Sequence, residues 1–424
     1  MRCRKLLSSS SFESRHKTSK EAFSRKRKLS FNIVSVLLLR KSVKSLQIVL
    51  NDFCNQLGLK KVSASAFSQA RKKFKHTAFI ELLDVCILSV FYSEQDYQTY
   101  KGHRLLSIDG SKLRLPNSEE IAKEFGVITE RNHKHETRYS EAKISVLYDL
   151  RNHLPLSGII SKGRTGDCKL ACENLDKLQE RDIVICDRGY ASYQFFCQII
   201  SKNADFIIRC PRKRFKDGAG LFKSGSKNSK ITTLNCPSKL SGQLRESVKL
   251  RFIKVPLSNG ETEVLVTSLL DEKKYPNSDF KNLYHERWQV ETFYNILKSR
   301  LCLENFTGRT PEAVRQDFYS TLYIAALESI LIEDAQESLK KKRTKRMQKV
   351  NKAVSFYVIK DKAFEILNDK SKTVEELNAE LTILFQQNPT LMRPDRIKIR
   401  KKKTRNTYSW RSVNFHRNLK KHVF

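Results

Sequence analysis

Asn277–Leu301, NSDFKNLYHERWQVETFYNILKSRL, is the stretch from which the rest of the chain is read. It predicts one amphipathic helix. Pro276 breaks the chain just before it, and Ser278 or Asp279 can cap its first turn. Leu283, Val290, Phe293, Leu297 and Leu301 recur at helical spacing as an apolar stripe. At about 100° per residue, Tyr284, Arg287, Glu291 and Lys298 share an arc of roughly 60° beside that stripe. A carboxylate thus stands among two cations and a phenol. Geometry alone also allows a solvated face with an ordinary i,i+4 Arg–Glu pair.

The spacing Tyr284-x2-Arg287-x3-Glu291-x6-Lys298 resembles the YREK signature of the insertion-sequence-four family of DDE transposases. The resemblance implies that Glu291 is the third metal-binding carboxylate. It also implies that Tyr284, Arg287 and Lys298 contact transposon-end DNA, and that two aspartates lie upstream at strand ends. Some relatives hold a flipped base with a tryptophan ahead of this helix. Here Trp288 lies inside the motif, and Trp288, Tyr275 and Phe280 are the candidates for that task.

The bulk numbers agree with a nucleic-acid partner. The chain has 424 residues, with 81 Lys plus Arg against 45 Asp plus Glu, a net charge of +36. Such an excess points to a polyanion, with DNA first and an anionic membrane surface second. The longest apolar stretch near the start, Ile33–Leu39, is far short of the ~20 residues that span a bilayer. The expectation is a soluble, cytoplasmic protein, bacterial and nucleoid-associated by the resemblance, with no membrane partner. The ten cysteines show no Cys-x2-Cys, and Cys86, Cys186 and Cys197 lie in apolar runs that suit small core residues. No Walker or dinucleotide fingerprint is present, so no nucleotide cofactor is expected.

Residues 1–22 read as a disordered basic tail and 23–100 as a helical DNA-binding domain, with helices at Leu29–Arg40, Ser45–Leu57, Ser63–Lys73 and Ala78–Phe91. Arg71 and Lys72 crowd the end of the third helix, where they either touch phosphates or complement the helix dipole. Arg104–Pro116 predicts strand, Asp-Gly-Ser turn, strand, with Asp109 closing the first run. Ala142–Leu150 and Leu154–Ser161 read as further strands. Asp182–Asp187, DIVICD, suits a strand buried on both faces whose last acid emerges at the carboxyl edge. Arg188-Gly189-Tyr190 then makes a turn, and DRGY resembles the family's second-aspartate motif.

The pattern is α/β and resembles a ribonuclease-H-like core at 101–210 and 276–338, in which Asp109 and Asp187 take the places of the first two acids. Residues 211–275 read as a β-rich insertion after an exposed 212–230 loop. That insertion is either a surface closing over the DNA end or a plain β layer. Residues 339–424 form a basic C-terminal helical region and tail. The charge run at 340–349 is a solvated face or a phosphate contact.

Taken together, the resemblance implies a transposase that binds the terminal inverted repeats of an insertion sequence, cleaves DNA and joins it to a target. Asp109, Asp187 and Glu291 would hold two Mg2+ ions, with Mn2+ as a substitute. Tyr284, Arg287, Lys298, Trp288, Arg188, Arg71 and Lys72 would contact double-stranded DNA, and a homodimer would hold two ends. The alternatives are a catalytically inactive DNA-binding relative and a structure-selective nuclease with the same core. All three share one expected outcome. DNA affinity should fall about a thousandfold or more between roughly 50 and 200 mM salt, because several phosphate contacts release counterions. Fluorescence anisotropy with a labelled duplex measures this, and a flat response would remove the electrostatic argument.

Overall fold

In the computed structural model, residues 2–132, 135–224, 227–257, 260–369 and 371–392 are described. The basic tail with Trp410 and Phe415 lies outside them. The fold is mixed α/β. The chain divides into two compact units: Met1–Glu94, Leu113–Ala142 and Asn295–Phe424 in the first, and Gln95–Lys112 and Lys143–Tyr294 in the second. Among the described residues, no helix is long and apolar enough to cross a membrane.

The first unit is mostly helical. Phe31–Leu39, Leu46–Gln56 and Ala64–Arg71 begin where serines cap them: Ser30, Ser45 and Ser63 each accept from a backbone N–H three residues on. The expected fourth helix forms too, but its centre, Leu82–Leu88, is π-helical. Residues expected to be disordered instead form helices Arg2–Leu7 and Ser10–His16. Their basic character conceals two anchors, Leu7 and Phe12, both buried. Phe12 packs edge-on against Phe31 at 5.9 Å, and Arg4 donates to the carbonyl of Glu365 at 2.9 Å.

The second unit is built on a sheet. The strands of the large sheet are β1 (Leu105–Arg114), β2 (Val127–Asn132), β3 (His135–Asp149), β4 (Leu154–Lys162), β5 (Ile183–Cys186), β6 (Asp205–Arg209), β7 (Ser229–Asn235), β8 (Ser247–Pro256) and β9 (Thr262–Thr267), of which β2 and the first half of β3 belong to the first unit. In the second unit their order is β3-β1-β5-β6-β9-β8-β7, with β4 paired to β3. β2 pairs with the first half of β3 inside the first unit. Strands β1, β5 and β6 are parallel, whereas β9, β8 and β7 add on antiparallel. The β-rich insertion therefore extends the central sheet. Part of the expected 212–230 loop is a helix, Lys216–Lys223, whose Gly218 lies so close to Cys210 Sγ that a Cβ there would approach to 2.6 Å.

Sequence and packing agree best at β5. All four side chains of IVIC are buried, as expected of a central parallel strand. Helix Tyr193–Ser201 covers this region, and Phe196 stacks on Phe206 of β6 at 4.7 Å. Asp109-Gly110, by contrast, makes no turn, because β1 runs through it. Glycine serves there for close approach: a Cβ on Gly110 would lie 2.5 Å from Asp167 Oδ1.

The register of β1 on β5 is held by polar bonds as well as by the ladder. Leu105 stands opposite Ile183, and Ser107 opposite Ile185. One step before the ladder, Arg104 forms a buried two-point ion pair with Asp182, Nε at 2.7 Å and the second nitrogen at 2.6 Å. Ser107 Oγ donates to the Ile185 carbonyl at 2.8 Å. Replacing Arg104 with Met would leave a buried carboxylate without its partner, so unfolding free energy should drop by about 3–5 kcal/mol. Urea denaturation measures the loss. A change within about 1 kcal/mol, typical of exposed pairs, would contradict the role given to this bond.

Candidate active site

The parallel register places the two aspartates. The offset that pairs Leu105 with Ile183 and Ser107 with Ile185, carried two residues on, sets Asp109 beside Asp187. The β5–β6 ladder pairs Cys186 with Ile208, and one further step sets Arg209 beside Asp187. Because the three strands are parallel, these residues share the carboxyl edge of the sheet, where ligands of α/β sheets commonly bind. Asp187 stands before a short 3-10 turn, Arg188–Tyr190, at φ −75° and ψ 168°.

The stretch expected as a 277–301 helix carries Glu291, the candidate third acid, though not as one uninterrupted helix. It runs as Asp279–Glu286, a turn at Arg287, Trp288–Asn295 and a π-helical Ile296–Arg300. Ser278 makes no side-chain cap. Asp279 Oδ2 instead accepts from the Tyr100 hydroxyl at 2.6 Å. Arg287 donates to Glu291 Oε1 at 2.8 Å. The hydroxyl of buried Tyr284 donates to Asp187 Oδ1 at 3.5 Å, and that of Tyr294 to the Asp109 carbonyl at 2.6 Å. Trp288 remains 45% exposed, with the Arg287 guanidinium 5.0 Å from its ring centre.

Charge ties these groups together. Burial pushes the Asp109 carboxyl up to about 6, with Glu291 and Asp187 adding to the effect. The Gly110 N–H, which donates to Asp109 Oδ1 at 2.9 Å, and the Arg287 charge oppose it. Burial likewise raises the Tyr284 phenol, which also feels Arg287, Asp187, Glu263 and Arg209. It therefore keeps its proton and can donate. Arg287 is the internal counter-charge of the cluster, yet its Nε is buried with no hydrogen-bond partner. An anionic oxygen would satisfy it.

The donor set, carboxylate oxygens on strand β1, just past the end of β5 and on a helix, suits a hard divalent cation. Among the described residues, however, no group of three or more His, Cys, Asp or Glu stands close enough to hold a metal ion. Gathering the acids around a cation would require Glu291 to exchange Arg287 for it. In chemical terms the arrangement offers carboxylates, a phenol donor and a guanidinium at one strand edge.

The other expected contacts divide. Arg188 is exposed and lines a cleft of 730 Å³ with Arg209, Arg212, Lys213, Arg214 and Phe222. Arg209 pairs with Glu263 at 2.9 Å, and Arg212 lies 5.5 Å over the Phe222 ring. Arg209, Glu263 and Tyr294 escaped the sequence reading. Arg209 could have been found by counting β6 against β5, whereas the other two carry no local signal. Lys298 falls in the first unit and is half-buried. Lys72 is exposed. Arg71 is corrected: only 4% exposed, it donates to Gln316 at 2.9 Å, Thr307 at 2.8 Å and Asp317 at 3.1 Å. Its charge is used inside the first unit and is not offered to a phosphate.

The raised Asp109 carboxyl has a consequence for stability. Between its ordinary value of 3.8 and about 6, the folded chain binds more protons than the unfolded one. Stability therefore falls as pH rises through that window. Asp109→Asn should remove this loss and be more stable than the parent above about pH 6, with the difference vanishing below about pH 4. Thermal melts across pH measure it, and parallel profiles for the two proteins would contradict the placement of half-buried Asp109 near Glu291 and Asp187.

Comparison with known proteins bears on the same stretch. The sequence model described as the transposase DDE domain matches residues 100–327. Transposase InsG for insertion sequence element IS4 of Escherichia coli is 22% identical over 265 residues, covering 62% of this chain and 59% of that protein. The putative transposase y4zB of Sinorhizobium fredii is 24% identical over 196 residues, 44% of this chain and 52% of its own. The chain thus spans between half and three fifths of these curated relatives. Among solved structures, the piggyBac transposase synaptic complex with hairpin DNA overlaps loosely, with a TM-score of 0.46 and 11% identity over 94% of this chain and 87% of that one. The matched segment exceeds half of the sequence and contains Asp109, Asp187 and Glu291, and on that ground the chain belongs to the transposase DDE domain family.

Proposed function

We propose that the protein is a DNA transposase of the insertion-sequence-four kind, with Asp109, Asp187 and Glu291 as its catalytic acids. The observation that carries this reading is the β1–β5 register, which brings two sequence-distant aspartates to one strand edge beside the Arg287–Glu291 segment. The strand order around β1, β5 and β6 supports a ribonuclease-H-like core.

The acids would hold two Mg2+ ions, for which Mn2+ could substitute. Bound there, the ions supply Lewis acidity for in-line attack on a phosphodiester by water or a 3′-hydroxyl. The chain's own groups do the rest. Arg287, released from Glu291, turns its unpartnered Nε to a phosphate oxygen near the cut. Tyr284, held as a neutral phenol, donates a hydrogen bond beside Asp187. Arg188 and Arg209, with the basic wall of the cleft, guide the strand, and Lys298 and Lys72 of the first unit contact phosphates. Trp288, exposed next to Arg287, is placed to stack on a base. Two ends are joined to one target, so the working unit is a dimer on DNA.

Glu291→Gln tests the assignment. Incubated with Mg2+ and DNA carrying the element boundary, wild type should nick at the boundary and join the end to a target. The variant should bind with similar affinity and lose at least about a hundredfold in cleavage, the scale on which removal of an essential charged group acts. Equal cleavage by both proteins would exclude Glu291 from the chemistry.

A further inference from the structure

One helix of the first unit carries a surface that the site at the strand edge does not use. Helix Leu46–Gln56, a connection with Gly58 at φ +63°, and helix Ala64–Arg71 follow one another in helix-turn-helix order. The connection, 57–63, is longer than the about three or four residues usual in that motif, and side chains fasten it instead. Gln47 accepts from the Ala64 N–H at 2.8 Å and donates to the Val62 carbonyl at 3.0 Å. Ser63 caps the second helix by accepting from the Ala66 N–H at 3.1 Å. The far end is held by buried Arg71, through Gln316, Thr307, Asp317 and the Ala313 carbonyl. The helix is thus fixed at both ends before any ligand arrives, which lowers the cost of binding.

Its two faces differ in kind. Phe67 and Arg71 fall on one side and are buried. At about 100° per residue, Ser65, Ala66, Gln69 and Lys72 share an opposite arc of roughly 120°, and all four are exposed. Gln69 Nε2 donates to Ser65 Oγ at 3.5 Å, one turn back on the same face. These side chains are short or polar, so an apolar partner would find little there to bury. The charge around them has one sign. No Asp or Glu occurs from Phe53 to Ile80, whereas Lys60 and Lys61 before the helix, and Lys72 and Lys73 at its end, are exposed. A short polar helix face with cations at both ends complements a groove between two rows of phosphates.

We propose that helix Ala64–Arg71 reads base edges in the major groove of double-stranded DNA, with Gln69 as the specificity-determining residue. The groove, about 12 Å wide, admits an α-helix. The Gln69 amide can donate to N7 of an adenine and accept from its N6 amino group. Ser65 and Ala66 let the helix approach closely, and Lys60, Lys61, Lys72 and Lys73 hold phosphates on either side. The inference rests on the DNA partner of the proposed function and adds to it which residue of the first unit tells one sequence from another.

The test uses the full chain and fluorescence anisotropy with two labelled duplexes, one carrying the element end and one of the same composition in scrambled order. Wild type should prefer the end. Gln69→Ala should lose about tenfold or more of that preference, with binding to the scrambled duplex unchanged. Lys72→Ala should weaken both duplexes alike and make the salt dependence shallower by about one unit. Replacing single adenines of the end by 7-deazaadenine, which lacks the N7 acceptor, identifies the contact itself. At one position the replacement should weaken wild type and leave Gln69→Ala unaffected, a result that a merely structural role for Gln69 would not give. Equal preference in wild type and Gln69→Ala, or no adenine whose replacement is silent in the variant alone, would overturn the inference and leave the transposase reading standing. Failure of wild type to bind either duplex would overturn both.

Discussion

One parallel register governs the candidate site. β1 and β5 are separated by 78 residues in sequence, and the same offset recurs at every point of contact: Arg104 with Asp182, Leu105 with Ile183, Ser107 with Ile185. A slip by one residue would part Arg104 from Asp182 and Ser107 from the Ile185 carbonyl at once. Register is thus strongly specified at the buried end of the strands. The open end inherits it, and there the residues in register are two aspartates. The stability of the sheet and the chemistry of its edge depend on the same alignment.

Putting acids together has an energetic cost, which the structure partly offsets. Asp109 is half-buried and pushed upward by burial and by Glu291 and Asp187. Arg287 supplies the opposing charge from the turn just before the helix that carries Glu291, and keeps one nitrogen unsatisfied. Strain of this kind belongs to sites organised for a charged ligand rather than for stability. In the proposed function, a cation for the carboxylates and a phosphate oxygen for Arg287 relieve both tensions together.

Part of this was legible in the sequence. Four polar residue types at fixed helical gaps pointed to Glu291 as a candidate acid, and a continuous apolar run ending in Asp187 pointed to another. Asp109-Gly110 misled, because the pair's usual work in turns hides a glycine chosen for closeness to Asp167, which only the fold brings near. The N-terminal residues misled through composition: a basic segment needs only Leu7 and Phe12 to dock. Arg71 looked like one of a basic cluster, yet its environment is set by Gln316 and Asp317, far along the chain. Strands β7, β8 and β9 lie within the 211–275 stretch, but pairing between strands is non-local, so their continuity with the central sheet was not readable.

The central claim is that Asp109, Asp187 and Glu291 converge on one cation-binding locus. Iron-directed hydroxyl-radical cleavage tests it most directly, since Fe2+ occupies oxygen-ligand sites and cuts the backbone around itself. The expected result is a set of fragments ending near residues 109, 187 and 291 together, all lost in Asp109→Asn and all competed by Mg2+. Cuts near one of the three positions without the others, or a pattern unchanged in Asp109→Asn, would contradict it.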